Sequence, residues 1–519
     1  MKLNSKTVIL FLLCTYFSTS AFAFESLIIR NKSLPITVFN ITLRVGSADD
    51  LTDKKGLANL TARLIREGGS LAWSFDSQGK KNDEKKIEPE FPAKTRAEIE
   101  EALYPLAAEI SIEVNKEQTS FSVSCNAEDA KIVFSILAQM LLAPAFNEKE
   151  FNRLKNEEID FLTKRAPNED QEELGKYALN REIFGKTHPY SHLEEGTISS
   201  LEKITLDSIK DFYKSFYTQK RLIVGLAGVI TPELETAVKK AFSQWPMGTK
   251  SKAVVPSPQK IKKPKLLIVQ GPFTATGVHL GSSTDLNRSS KDFDDVYLAM
   301  LGFGKHRSFV GRLMSHVREI RSLNYGTYAY IEDFPQGGQR HSEPTQAARQ
   351  KQAFTLWARP TPVENGCFLL RQVYREVQML TKDGLTKSEF DLAKSHLIGN
   401  APLLATSLDR QLGYAIDSRF YGISGNYTKR LQSSAKKATF TSVTKKIKKH
   451  IDGKGLFIVV VTPDAEKFKS EILSPSCEVT YATAKPADVL KEDKIIEKYV
   501  VPLKEEDIVT VNSNDLFNQ

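Results

Sequence analysis

The chain has 519 residues, of which 41% are hydrophobic and 26% are charged, a composition typical of globular proteins. Its formal net charge is +9, but lysines and acidic residues alternate along most of the chain, and only residues 260–265 and 445–449 are locally basic. Because no aromatic residues are interleaved with these basic runs and no recognition motif is present, the charge argues against a nucleic-acid-binding protein. We therefore expect no nucleic-acid partner.

The first 23 residues have the features of an export signal. Two lysines flank a short apolar run at residues 8–13, and a cleavage site of the A-x-A type occupies residues 21–23, so the mature chain is expected to begin near Phe24. The run is too short to span a bilayer, and no later stretch approaches the ~20 apolar residues of a spanning helix. The sequence predicts an exported protein without a transmembrane segment after signal removal. Its location would be the periplasm in a Gram-negative source, or the medium if it is secreted.

Three cysteines remain after signal removal: Cys125, Cys367 and Cys477. Their spacing is neither that of metal ligands nor that of a disulfide framework. An odd number permits one disulfide bond at most, and the preferred prediction is that all three are buried thiols.

The first half of the chain is predicted to mix strands and helices. Alternating apolar residues at 36–45 predict one or two strands, and apolar residues at helical spacing over 57–65 predict an amphipathic helix that ends at Gly68. Residues 74–92 are charged and contain proline, which predicts a surface insertion. The remaining predicted elements are a helix near 94–105, strands near 109–125, helices near 127–142, 147–165 and 168–184, a strand at 222–230 and a helix at 232–245.

The second half repeats this order after a linker rich in Lys, Pro and Ser. Three short sequence segments of the first half, at 45–49, 149–152 and 229–233, have similar counterparts in the second half. The counterparts occur in the same order, about 235 residues later. The elements predicted there are strands near 265–281, helices near 290–303 and 308–323, strands at 325–333 and 353–361, helices near 363–382 and 386–399, and a strand at 455–462. The charged tail, with a strand-like stretch at 499–501, is expected to pack back onto the body.

These elements predict the α+β class, with two duplicated α/β-sandwich domains in which helices pack on one side of an antiparallel sheet. The predicted organisation is a signal peptide (1–23), an N-terminal domain (24–249), a linker (250–264), a C-terminal domain (265–485) and a C-terminal tail (486–519). A cleft between two such copies is a natural place for a ligand.

Several short sequence motifs are typical of one protein family. They are Gly46-Ser47, Gly56-Leu57-Ala58, Pro144-Ala145-Phe146, His188-Pro189-Tyr190, Val317-Arg318-Glu319 and Leu323-Asn324-Tyr325-Gly326. Over residues 25–515 their order resembles the pitrilysin/insulinase superfamily of zinc metallopeptidases, in its bacterial, mitochondrial-processing-peptidase-like branch. The resemblance implies two metallopeptidase-like domains that close as a clamshell.

The zinc motif that this resemblance implies is degenerate. The family places His-x-x-Glu-His on the helix that begins at Leu57, where the two histidines bind zinc, the glutamate is the general base, and a later glutamate completes the site. The aligned residues here are Asn59, Ala62 and Arg63, and Arg63 brings a permanent positive charge. The later ligand aligns with Glu157 or Glu158. We therefore expect no intrinsic catalytic residue, no metal and no cofactor in this chain.

A second motif of the family is kept. Members carry an Arg and a Tyr seven residues apart that hydrogen-bond the substrate backbone beside the scissile bond, and the matching pair here is Arg318 and Tyr325. Seven residues are two helical turns, so both side chains can face one cleft. Arg and the Tyr hydroxyl can each donate a hydrogen bond to a substrate carbonyl or a developing oxyanion. The alternative is a surface Arg and a half-buried strand Tyr.

Together these features predict the non-catalytic subunit of a heteromeric zinc metallopeptidase. The resemblance implies a zinc-bearing homologous partner and a peptide substrate, which would add as a strand to a sheet edge. Two alternatives stay open: a stand-alone pseudoenzyme acting as a peptide-binding or scaffold module in the cell envelope, and an active metallopeptidase with an unorthodox metal site. For the second alternative, the histidines and glutamates of residues 188–195 have ligand chemistry, although Pro189 forces a turn among them.

Overall fold

The computed structural model describes residues 23–76, 89–249, 254–258, 260–305, 311–333 and 345–518. Nearly all of the predicted signal peptide, most of the predicted insertion at 74–92 and part of the predicted linker lie outside the described residues.

The first half of the chain builds one sheet with helices packed on it. Its strands are β1 Glu25–Arg30, β2 Ile36–Leu43, β3 Ser111–Val114, β4 Thr119–Asn126 and β5 Leu222–Gly228. Its helices are α1 Leu57–Glu67, α2 Arg96–Leu103, α3 Ala130–Leu142, α4 Glu148–Asp160, α5 Gln171–Phe184, α6 Ile198–Lys203, α7 Leu206–Phe216 and α8 Pro232–Phe242. The strand order is β1-β5-β2-β4-β3, with β1 parallel to β5 and the other neighbours antiparallel.

The second half builds a sheet of the same topology. Its strands are β6 Lys265–Gln270, β7 Ala275–Thr284, β8 Thr327–Tyr330, β9 Gln352–Pro362, β10 Phe457–Thr462 and β11 Ile508–Asn512. Its helices are α9 Phe293–Phe303, α10 Gly366–Asp383, α11 Lys387–Asn400, α12 Leu408–Phe420, α13 Tyr427–Lys437, α14 Phe440–His450, α15 Ala465–Leu473 and α16 Ala487–Ile496. The strand order is β11-β6-β10-β7-β9-β8, which repeats the first sheet and adds β11 at one edge.

The predicted α+β class and the duplication are confirmed, and three details are corrected. Each sheet is mixed rather than antiparallel, because β1 pairs with β5 in parallel, as does β6 with both β10 and β11. The helix expected over 308–323 is, among the described residues, a π-helical segment at Met314–Glu319. The tail does pack back onto the body, but its strand is Ile508–Asn512, whereas 499–501 contains the core residue Val501 and pairs with no strand.

Each sheet is covered on its second face by a helix from the other half of the chain. Helix α12 packs on β1, β2 and β5, and α5 packs on β7, β9 and β10. On α12 the contact is made by Leu408, Leu412 and Ile416. The expectation of helices on one side only was therefore wrong. The packing of a helix from the other half on each sheet explains why residues 457–461 are all apolar. A strand that is buried on both faces has no side that faces solvent, so no alternating polar residues are needed.

The contact between α5 and the second sheet is close. Gly175 of α5 lies against the ring of His279 on β7, and a Cβ atom at position 175 would be 2.0 Å from that ring. His279 is only 1% exposed. Burial, reinforced by the charge of nearby Lys176, lowers the pKa of His279 to about 4. The histidine is therefore packed as a neutral side chain between the two halves.

Replacing His279 with glutamine should make folding less sensitive to acid. The ordinary pKa of histidine is 6.5, so between pH 6.5 and 4 the unfolded chain binds a proton that the folded chain excludes. The wild type thus loses stability as the pH falls through this window, by about 3 kcal/mol from this group. Urea unfolding at pH 7 and pH 4.5 should show a smaller loss in His279→Gln. His396→Gln, at an exposed position on α11, is the matched control. Equal losses in the two variants would contradict the prediction.

Cys367 in α10 and Cys477 form a disulfide bond, with their Cα atoms 5.7 Å apart, and Cys125 is a buried free thiol. The prediction of three buried thiols was therefore wrong for this pair. The two residues are 110 positions apart, and only the fold brings them together. Burial raises the pKa of Cys125 to about 12, so its thiol is unreactive.

The double variant Cys367→Ala/Cys477→Ala should be less stable than the oxidised wild type by about 3 kcal/mol, because the bond closes a long loop in the unfolded chain. Urea unfolding with and without reductant measures this difference. Reductant should destabilise the wild type and leave the double variant unchanged. Wild-type stability that does not respond to complete reduction would contradict the prediction.

Candidate functional site

The degenerate zinc positions lie on α1, whose start is fixed by its surroundings. Gly56 precedes the helix with φ +97°, and a Cβ atom there would be 2.4 Å from the carbonyl oxygen of Glu195. The carboxylate of Asp50 accepts hydrogen bonds from the backbone N–H groups of Gly56 and Ala58, at 2.7 and 2.8 Å. Position 56 therefore favours glycine, and the first turn of α1 is held in a set orientation.

Asn59 and Arg63 converge on one carboxylate of α4. Asn59 Nδ2 donates to Glu158 Oε1 at 3.0 Å, and Arg63 Nη1 donates to the same oxygen at 2.5 Å. Glu158 is 4% exposed. Glu157 lies beside it, is exposed, and accepts from Arg63 Nη2 at 2.8 Å. Of the two glutamates that the sequence left open as the later ligand, Glu158 is the one that both Asn59 and Arg63 contact.

The electrostatics of this group are those of a buried ion pair. Burial raises the pKa of Glu158, and its bonds to Arg63 and Asn59 oppose that rise. Burial disfavours the charge on Arg63, but its bonds to Glu158 and Glu157 outweigh burial and raise the pKa of Arg63. Since an arginine keeps its proton in any case, Glu158 faces a permanent cation.

These residues do not fit a zinc ion. Asn59 turns its NH₂ group toward Glu158, Arg63 brings its guanidinium to the same oxygen, and Ala62 is fully buried in the first core and has no group that could act as a base. At the other group with ligand chemistry, both ring nitrogens of His188 bond to backbone atoms. Within the described ranges, no group of three or more His, Cys, Asp and Glu side chains is placed to hold a metal ion.

Two neighbouring cavities share part of their walls, and among the described residues the second is lined by the first half of the chain alone. One, of about 600 Å³, is lined by both halves of the chain, and the other, of about 630 Å³, contains Asn59, Arg63 and Glu158 in its wall. Val114, Phe161, Arg165 and Glu195 line both. Strand β3, at the edge of the first sheet, therefore forms part of the wall of each cavity. Among the described strands it pairs only with β4, which leaves its other side open.

The first cavity combines aromatic and charged groups from distant parts of the chain. Lys176 of α5 lies 4.0 Å from the ring centroid of Trp357 on β9 and makes an ion pair of 2.9 Å with Glu173. Phe517 stacks on Tyr177, with ring centroids 4.9 Å apart. Sequence reasoning missed these residues, because no motif links positions so far apart.

Two carboxyl groups of this cavity have raised pKa values. Burial is the main cause for both, and it raises the pKa of Glu173 and of Glu195 to about 7. The negative charges of Glu194 and Glu158 add to the effect at Glu195. Near neutral pH both groups are therefore partly protonated.

The structure brings Arg318 and Tyr325 together, but not by two turns of one helix. Arg318 is in the π-helical segment, the chain then turns at Ser322, whose φ is +57°, and the Arg318 guanidinium comes to lie 4.5 Å from the Tyr325 ring centroid. Arg359 lies 5.5 Å from the same ring and bonds to Glu172 of α5 at 2.9 Å. Tyr325 is 66% exposed. Neither Arg318 nor Tyr325 is among the described residues that line the two cavities.

The duplicated α+β fold, with Asn59, Arg63 and Glu158 clustered between α1 and α4, is that of a zinc-metallopeptidase homologue that lacks the His-x-x-Glu-His motif on α1. The family models agree: one described as "Peptidase M16 inactive domain" matches residues 203–397, and one described as "Insulinase (Peptidase family M16)" matches residues 93–193. The chain belongs to this insulinase, or M16, peptidase family.

Curated relatives match most of the chain at low identity. A protein of Helicobacter pylori named "Non-peptidase homolog YmxG" is 21% identical over 438 residues, which are 83% of this chain and 90% of that protein. A protein of Bacillus subtilis named "Uncharacterized zinc protease YmxG" is 23% identical over 328 residues, which are 62% of this chain and 72% of that protein.

Solved structures share the fold. A peptidase M16 inactive domain from Pseudomonas fluorescens has a TM-score of 0.70 and 23% identity, and the match covers 85% of this chain and 96% of that one. The periplasmic protease PqqL from Escherichia coli has a TM-score of 0.64 and 13% identity, with 93% of this chain matching 51% of that one. In the part of the chain that the structure describes, no helix is both long and apolar enough to cross a membrane.

Proposed function

We propose that this protein is the non-catalytic subunit of a heteromeric zinc metallopeptidase and binds peptides in the space between its two halves. Its metallopeptidase-like domains would span residues 24–249 and 265–485. The observation that carries the proposal is the wall shared by β3 and the Asn59, Arg63 and Glu158 cluster. It combines an open strand edge, on which a peptide can add, with a degenerate site that cannot cut it.

Peptide binding by strand addition suits the geometry of β3. An added strand would pair with the backbone of residues 111–114, and main-chain hydrogen bonds of this kind give affinity with loose sequence preference. Trp357, from the second half of the chain, and Lys176 of α5 line the same cavity as β3. The binding site would then use both halves of the chain.

Hydrolysis would need a second chain that carries zinc and a general base. In such a pair, Arg318 and Tyr325 would hold the substrate backbone near the partner's metal. Support for this role is the exposure of Tyr325 and the position of the Arg318 guanidinium over its ring, which places the two side chains of the motif side by side. The partner would be a zinc-bearing homologue, since two related clamshells can enclose one chamber.

An exported location, in the periplasm of a Gram-negative source, is part of the proposal. The support is the disulfide bond between Cys367 and Cys477, because such bonds persist in oxidising compartments and are rare in the cytosol. The signal-like sequence at residues 1–23 points the same way.

Affinity purification of the tagged protein from the envelope fraction tests the proposal. We expect an M16 homologue with an intact His-x-x-Glu-His motif at equal stoichiometry, and hydrolysis of an unstructured peptide by the pair and by neither chain alone. Recovery of the chain without such a homologue, together with no gain in hydrolysis on mixing, would overturn it.

The second candidate function is a stand-alone peptide-binding module. It is favoured by the cavity of about 600 Å³ that the two halves of this one chain already enclose, so that binding needs no partner. Calorimetry with the purified chain and an extended peptide separates the candidates. Tight binding with no homologue recovered would favour the module.

A further inference from the structure

The M16 fold implies a zinc ion between α1 and α4, and the residues present do not fit one. We infer that the guanidinium of Arg63 takes over the structural task of that ion, and that the fold holds the Glu158 carboxylate where it could bind a metal if the two positions on α1 were histidines. The inference concerns this chain alone and does not depend on a zinc-bearing partner.

Two side chains of α1 meet at one oxygen atom of Glu158. Asn59 and Arg63 are four residues apart on α1, so their side chains leave the same face of the helix. Both donate to Oε1 of Glu158, at 3.0 and 2.5 Å. Two side chains of one helix and one carboxylate of another thus meet at one oxygen atom, at positions that side chains of the right type could use to hold a zinc ion.

Among the described residues, Arg63 alone supplies the positive charge that pairs with the Glu158 carboxylate. Glu157 also bonds to Arg153, at 2.5 Å, and Glu67 bonds to Arg153 and Arg96, at 2.7 and 2.9 Å. Loss of Arg63 would leave these two acids paired. Glu158 has no other ion pair in the described structure and would keep only the neutral amide of Asn59.

Glu158 is held in place by the packing of its helix, and not only by its ion pair with Arg63. It lies on α4, which packs directly on α1, and Phe151 and Leu154 of that helix are part of the first core. Its carboxylate should therefore stay between the helices when the two positions on α1 change. Histidines at 59 and 63 would find the third ligand already in place.

The first test is zinc binding by a designed variant. Asn59→His/Arg63→His should bind one zinc per chain after exhaustive dialysis, and Co²⁺ in its place should give the visible absorption of a tetrahedral site. Adding Glu158→Gln should weaken zinc binding by more than about 100-fold, since it removes a direct ligand. The wild type should retain no zinc. A folded double variant that takes up no zinc, or one whose affinity is unchanged by Glu158→Gln, would overturn the inference.

The second test concerns the wild-type ion pair. Arg63→Gln should lower Tm by roughly 5–10 °C, because it leaves a buried carboxylate without its cation. Arg63→Gln/Glu158→Gln should recover most of this loss, and it keeps the test decisive if the single variant does not fold. Arg165→Gln is the matched control, because Arg165 lines the same cavity in an exposed ion pair with Glu169, and its effect should be within about 2 °C. Equal effects of Arg63→Gln and Arg165→Gln, or no recovery in the double variant, would contradict the structural role of Arg63.

Discussion

Tyr325→Phe should lower kcat of the proposed two-chain peptidase by about 100- to 1000-fold, the usual effect of removing one donor to a developing oxyanion. The substitution keeps the aromatic ring, so the contacts with Arg318 and Arg359 remain and only the hydroxyl is lost. Because the lost bond strengthens in the transition state, kcat should fall more than KM rises. Initial rates over a range of peptide concentrations measure both constants.

Arg318→Ala should reduce activity by a similar factor, with a larger effect on KM, because a guanidinium also holds the substrate in the ground state. The control for both is Tyr104→Phe, at an exposed tyrosine that is not among the described residues of either cavity wall. Copurification of the partner should be unchanged in all three variants. Full activity of Tyr325→Phe in an intact pair would remove the substrate-binding role and favour the stand-alone module.

Leu412→Ala/Ile416→Ala should destabilise the protein by about 6 kcal/mol and loosen the contact between its halves. Both side chains are fully buried where α12 covers the first sheet. Each truncation of a buried Leu or Ile to Ala costs about 2–5 kcal/mol. Leu412 packs against Gly225 of β5 so closely that a Cβ atom there would be 2.9 Å from its Cδ1, so little can move in to fill the space.

Two measurements check this prediction. Urea unfolding gives the loss of stability, and limited proteolysis under native conditions reports the opening of the two halves. Leu392→Ala/Leu403→Ala, at two exposed leucines of the second half, should change either result by little. A normal proteolysis pattern in the Leu412 and Ile416 variant would mean that α12 does not hold the halves together.

The duplication illustrates how far sequence patterns reach. The similar sequence segments at 45–49 and 280–284 predicted two copies of one domain, and the two sheets do share one strand order. The same patterns did not reveal that α5 and α12 cross to the opposite sheet. A helix with buried residues on several faces has more than one neighbour, but its sequence does not say which half of the chain supplies them.

At the degenerate zinc site, too, the sequence predicted some features and only the structure showed the others. Asn59, Ala62 and Arg63 follow from counting residues after Gly56, and their chemistry already argued against a metal. The bonds to Glu158, and the choice of Glu158 over Glu157, depend on the rotation of α4 against α1. Arg318 and Tyr325 lie in contact, but the turn at Ser322 brings them together, because the helical segment ends at Glu319 and does not supply two turns.

The sequence by itself determined the class, the duplication and the absence of a His-x-x-Glu-His motif, because these depend on residue types and on order along the chain. Only the tertiary structure decided the exchange of helices, the disulfide bond between Cys367 and Cys477, the shared cavities and the Arg63–Glu158 pair. Each of these joins residues far apart in the chain, 95 positions for Arg63 and Glu158 and 110 for the two cysteines. Such contacts are set by how buried surfaces pack together rather than by local periodicity.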